Sequence, residues 1–142
     1  MANQHLNQAQ HNHNFYQKIQ EEWPYDYPDW KVTVLFYIAL HCVDAVAELN
    51  GMKNYHTHKD RNTFVSSNNC TLSRNAKGKY RRLLSNSISS RYSGFIDQSS
   101  FETIQENNHT DCLQWLGVIK DELDTECNTH NHTHSYVTAA SA

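Results

Sequence analysis

Asp29 to Leu49, DWKVTVLFYIALHCVDAVAEL, runs 21 residues without Gly or Pro. A strand rarely extends so far, so the stretch predicts one long helix around which the rest of the chain must pack. Trp30, Val34, Tyr37, Ile38, His41, Ala45 and Leu49 recur at three- and four-residue steps. That spacing predicts that they share the packed face. Two of the seven, Tyr37 and His41, are polar, and a packed face has to satisfy them. Their partners are therefore the first functional question.

Outside this stretch the chain is polar, with a mean hydropathy of −0.78 overall. Its 142 residues fit one domain. The net charge of −3 excludes a basic field over the whole surface, and ten His make that charge rise as pH falls toward 6. Four cysteines, Cys42, Cys70, Cys112 and Cys127, form no CxxC pair, which excludes a zinc ribbon or thioredoxin motif. Cys42 and Cys112 fall in helical patterns and read as small core residues. The N-terminus, MANQHLNQAQHNHN, has no apolar h-region. Thr33, His41 and Asp44 interrupt the longest apolar run, which makes it a poor membrane span. The expectation is a cytoplasmic protein with free thiols and no membrane partner.

Taken in order, residues 1–13 are Asn/Gln/His-rich and are expected to be disordered. Residues 14–126 read as one helical domain, and 127–142 as a His-rich flexible tail. Phe15, Tyr16 and Ile19 predict a short first helix from Asn14 to Glu22. Trp23 to Pro28 is an aromatic connector, and Pro28 suits the first turn of the central helix. Asn50-Gly51 predicts its end. Thr57 and Asp60 resemble a capping box that opens a short helix through Val65. Leu72, Ala76, Tyr80, Leu83, Leu84 and Ile88 predict a helix from about Thr71 to Arg91. Phe101, Ile104, Cys112, Trp115, Leu116, Ile119 and Leu123 predict a last one. The fold class is all-α, a bundle of four to five helices.

Three blocks in this order resemble the HEPN domain, a helical-bundle family of prokaryotic nucleotide- and RNA-related proteins. They are Trp30 to His41, similar to the family's aromatic-plus-small helix; His56 to Arg61, similar to its Ser/Thr-His helix opening; and Tyr80 to Tyr92, similar to a helix ending in Arg-Tyr. The resemblance implies a homodimer with a polar groove, often an RNase of toxin–antitoxin or defence systems. The family's usual catalytic signature is Arg followed after four to six residues by His. No Arg in this chain is followed so. The leading expectation is therefore a HEPN-like nucleotide- or RNA-binding protein, with an antitoxin-like protein as a further partner. The alternatives are a metal-independent RNase and a helical interaction module that buries Trp23 to Trp30 against a partner.

The catalytic candidates are His41, His58, Arg61 and Arg91. Two imidazoles can serve as acid and base, and two guanidinium groups can clamp a phosphate. Tyr37 and Tyr92 join them as ligand-binding candidates, with the basic run Lys77, Lys79, Arg81 and Arg82 as a backbone-contacting patch. The plainer reading makes His41 a core histidine bonded to Tyr37 or a backbone carbonyl, and Arg91 a helix C-cap. Asp44 and Glu48, on an adjoining strip, can orient His41 or bind Mg²⁺ with other groups; the plainer reading of the two is a solvated acidic face. His130, His132 and His134 read as composition bias. No metal and no cofactor is assigned.

Overall fold

Pro28 has no N–H to lose and a preset φ, so it opens the central helix at its first position. At the far end Gly51 takes φ +78° and Asn50 closes on the carbonyls of Val46 and Ala47. The computed structural model describes residues 2–52, 57–92 and 106–137. Five helices are found there: α1 (Ala2–Glu22), α2 (Pro28–Leu49), α3 (His58–Ser66), α4 (Arg74–Tyr92) and α5 (Glu106–Thr129). The described residues form an all-α bundle in which α1, α4 and α5 pack along α2 and α3 touches it at one end. Phe101 and Ile104, expected in the last helix, lie outside the described residues.

α2 is enclosed on more sides than its spacing predicts. Val32, Leu35, Phe36, Ile38, Ala39, Cys42, Val43, Ala45 and Val46 are all fully buried. Trp30, expected on the packed face, is 62% exposed, and Val34, Tyr37 and His41 are only partly buried. A helix surrounded by three others has no single apolar stripe, so the regular three- and four-residue steps marked its seam instead. α2 has the length and hydropathy of a membrane span, but most of it is buried within the bundle.

α1 begins twelve residues earlier than the sequence suggested. Residues 2–13 are not disordered, because Ala2, Leu6, Ala9 and Tyr16 are buried against the core. They recur at steps of four, three and seven, enough for a narrow seam. Lys31, 2% exposed, donates its ammonium to the Trp23 carbonyl just past α1. A cation satisfies that helix end, and burial pulls the Lys31 pKa down.

Residues 3–13 of α1 meet residues 132–136 beyond α5. His132 Nε2 bonds Asn3 Oδ1 at 2.7 Å and His134 Nε2 bonds Asn7 Oδ1 at 2.6 Å. Ser135 donates to Gln10 Oε1 at 2.9 Å, and the Tyr136 hydroxyl meets His13 Nδ1 at 2.8 Å. The Lys120 ammonium lies 4.5 Å from the centre of the Tyr136 ring. The expected flexible tail is thus, through Val137, a strap laid across one face of α1.

Local caps fix the remaining helices. Thr57 Oγ1 accepts from the Asp60 amide at 3.1 Å, as its capping-box position requires. α4 starts at Arg74 rather than Thr71, because Ser73 is its cap: Ser73 Oγ accepts from the Ala76 amide. The Glu122 carboxylate of α5 takes both the Ser73 N–H and hydroxyl, at 2.7 and 2.6 Å. An anion at a helix N-terminus is favourable, and here it also ties α4 to α5. All four cysteines are free and buried. Burial pushes the Cys42 and Cys112 thiols up to about 12, so both are inert as nucleophiles at neutral pH.

Candidate functional site

His41, Asp44 and Glu48 occupy one face of α2, since steps of three and four return to the same side of a helix. That face is neither solvated nor acidic in isolation. Asp44 is 3% exposed and holds Arg61 of α3 in a two-point pair, with Nε to Oδ1 at 2.7 Å and an Nη nitrogen to Oδ2 at 3.1 Å. The fork geometry matches a carboxylate. Burial raises the Asp44 carboxyl above its ordinary value, with Arg61 pulling the other way. Burial alone would lower Arg61, but the bond to Asp44 outweighs it and the guanidinium is held charged. The Tyr80 hydroxyl is buried beside this pair and its pKa is raised, mainly by desolvation. Among the described residues it has no partner of good hydrogen-bond geometry.

The partner of His41 is neither Tyr37 nor a backbone carbonyl. It is His5 of α1, Nδ1 to Nδ1 at 3.2 Å, with the two rings stacked at 5.4 Å between centres. One ring must donate and the other accept. His5 also approaches Asp44 Oδ2 at 3.9 Å through Nδ1 and Glu48 Oε1 at 3.4 Å through Nε2. Burial, then His5, then Arg61 hold the His41 pKa down at about 4, so His41 is neutral at pH 7. His5 is the member of this cluster that the sequence does not point to, while Asp44 and Glu48 fall on the strip beside His41. Nothing in the sequence sets His5 apart, because the Asn/Gln/His-rich segment around it reads as low complexity.

A second corner gathers Tyr37, Arg91 and His58. Arg91 donates to the Tyr37 hydroxyl at 3.0 Å, and its guanidinium lies 5.6 Å from the Tyr37 ring centre and 5.9 Å from that of Phe36. It also donates to the Ser87 carbonyl of its own helix at 3.3 Å, one turn inside α4 rather than at the free carbonyls of its end, so this bond is not the expected C-cap. The His58 ring is 5.9 Å from Phe36. His58 is exposed at the start of α3; partial burial, then Arg61, then Arg91 lower its pKa. The four catalytic candidates thus divide. His41 and Arg61 are each engaged within a buried polar cluster, while His58 and Arg91 stand at the more open corner. Tyr92 ends α4, with its side chain outside the described residues.

The basic run is split by the turn of α4. Lys77 donates to the Ser67 carbonyl and Arg81 to the Ser66 hydroxyl, both at the end of α3. Arg82 leans the other way, 5.8 Å from the Trp115 ring of α5. Lys79 is partly buried. Three of the four cations that looked like one patch therefore face two different packing seams.

A third feature lies at the aromatic connector. Phe15, Ile19, Trp23, Tyr27, Trp30, Lys31 and Val34 line an apolar groove of about 190 Å³. Tyr27, just before α2, sits at φ 57° and ψ 47°, a left-handed conformation that costs a bulky L-residue. No protein-family model, curated protein or solved structure matches this chain.

Proposed function

We propose that this bundle is a divergent HEPN-like protein that binds the phosphate of a nucleotide or RNA without cleaving it. One observation carries the reading: the Tyr37–Arg91 pair at 3.0 Å, beside exposed His58 at the opening of α3. A guanidinium backed by aromatic rings, an imidazole and the positive end of a helix form a set that suits an anion next to a flat base. Cleavage is left out because Arg61 is committed to Asp44 and His41 to His5. On this reading the protein acts in the cytoplasm as a homodimer, within a toxin–antitoxin or defence system, with an antitoxin-like protein as a further partner. The test is fluorescence anisotropy with a labelled single-stranded RNA and a labelled nucleotide over a salt series. The expected result is binding that weakens with salt, falls at least tenfold or so in Arg91→Ala, the cost of a lost charged hydrogen bond, and leaves the RNA intact. No binding at low salt overturns the reading. RNA cleavage that disappears in His58→Ala replaces it with the RNase.

The aromatic groove favours a second reading, the interaction module. Trp30 at 62% and Phe15 and Tyr27 at 52% exposure are large rings of the groove left in water, and contiguous apolar surface of this kind marks contact sites. The occupant in this reading is a second copy of the chain. Light scattering on the purified protein then gives a dimer that Trp30→Glu converts to monomer. A monomer at high concentration rejects it.

A further inference from the structure

His5, His41 and Asp44 point one ligand atom each into a common space, all within 4.8 Å of one another. We propose that these three residues form a binding site for a divalent first-row transition ion, with Zn²⁺ as its probe. Such an ion binds histidine nitrogen and carboxylate oxygen at about 2.0–2.2 Å, which puts neighbouring tetrahedral donors about 3.3 Å apart. The His5 and His41 Nδ1 atoms are 3.2 Å apart, already close to that edge length. Asp44 Oδ2 is 3.9 Å from His5 Nδ1, and with all three donors within 4.8 Å of one another the carboxylate has to close on the rings by about half an ångström to at most about 1.5 Å.

The surroundings resemble those of built metal sites rather than a chance meeting of side chains. A metal-bound imidazole usually gives its other N–H to a carboxylate, which fixes the tautomer. His5 has that arrangement, with Nδ1 toward His41 and Nε2 3.4 Å from Glu48 Oε1. Arg61 grips the Asp44 carboxylate and so fixes its orientation. The donors come from two helices, His5 from α1 and the others from α2. An ion bound there joins the N-terminal helix to the core. With three protein ligands, a fourth position is left for water or an exogenous anion, the pattern of reactive rather than closed structural sites. The ligands are different residues from those of the Tyr37–Arg91 corner, one turn further along α2, and the proposal does not rest on that reading.

The test uses the full chain, stripped with a chelator and titrated with Zn²⁺ against a fluorescent indicator, with Co²⁺ as a spectroscopic substitute. One ion per chain is expected, together with the intense visible absorption of four-coordinate Co²⁺. Glu48→Gln should weaken Zn²⁺ about 10–100-fold, the range for losing a ligand's orienting partner. His5→Ala, which loses a ligand, should weaken it by more. Circular dichroism checks that each variant keeps its helices, and Glu48→Gln serves as the second variant if His5→Ala does not. The His132→Ala/His134→Ala variant controls for the imidazole-rich strap and should retain both the stoichiometry and the Co²⁺ spectrum. Equal affinity in wild type and His5→Ala, or a loss of binding in the strap variant alone, overturns the site. RNA or nucleotide binding in Arg91→Ala is read separately, so failure of one proposal leaves the other standing.

Discussion

Two polar seams hold elements of this bundle together, and they work under opposite conditions. Between α2 and α3, Asp44 and Arg61 form a pair with almost no solvent access. Between α1 and the C-terminal strap, Asn3, Asn7, Gln10 and His13 meet His132, His134, Ser135 and Tyr136 largely in contact with water. In the dry seam each charge depends on the other, because an unpaired buried ion is costly. In the wet seam the three exposed bonds, at Asn3, Asn7 and Gln10, are replaced by water when lost. The dry seam therefore fixes a geometry, and the wet seam holds an end in place.

The largest expected effect is in the dry seam. Arg61→Met leaves Asp44 buried without its partner and should cost about 3–5 kcal/mol. Urea denaturation measures it, and Asp44→Ala/Arg61→Met should recover a large part. A loss under about 1 kcal/mol would place Asp44 in water, where such pairs contribute little.

Next comes pH. His41 is held at about 4 against an ordinary 6.5, by burial first and then by His5 and Arg61, with Asp44 and Glu48 on the same face. A depressed folded pKa means that the unfolded chain takes the proton first. Stability from this group is full above about 6.5 and is lost as pH falls toward 4. Discounted for partial exposure, the loss is about 2–3 kcal/mol. Burial also lowers His13, His58, His109 and His134, so all of these act in the same direction. His41→Gln should flatten the curve between pH 6.5 and 4 in urea titrations at stepped pH.

The wet seam should respond least to single changes. His132→Ala or His134→Ala should each cost no more than about 1 kcal/mol, while hydrogen exchange in the first three turns of α1 speeds up. Unchanged exchange there would show that α1 docks through Leu6 and Ala9 alone. The smallest effect is at Tyr27. Tyr27→Asn, which tolerates the left-handed region, should raise the midpoint of thermal unfolding by relieving up to about 1–2 kcal/mol of strain. A fall would mean that the Tyr27 ring packs on more than Trp23.

What was legible in the sequence follows from where each signal resides. Pro28, Gly51 and Thr57 act on their own neighbours, so the bounds of α2 and the start of α3 could be read directly. The first half of α1 could not, because its buried seam uses Ala2, Leu6 and Ala9, too small and too sparse among amides to stand out. The strap was illegible for a different reason: its partners lie more than 120 residues away in the chain. The spacing of α2 shows that His41 needs a partner, and Arg61 and Asp44 each stand out in the sequence. Their pairing, and the arrival of His5, depended on how α1 and α3 lie against α2, which no local pattern encodes.

The account rests on α1 carrying His5 onto His41. Histidine-ring NMR on the full chain, following every imidazole from pH 8 to 3.5, tests that contact most directly. The expected result is a cross-relaxation contact between the His5 and His41 rings and a His41 midpoint near 4. A His41 midpoint near 6.5, with no contact to His5, would mean that the N-terminal segment is not docked and would contradict the site as described.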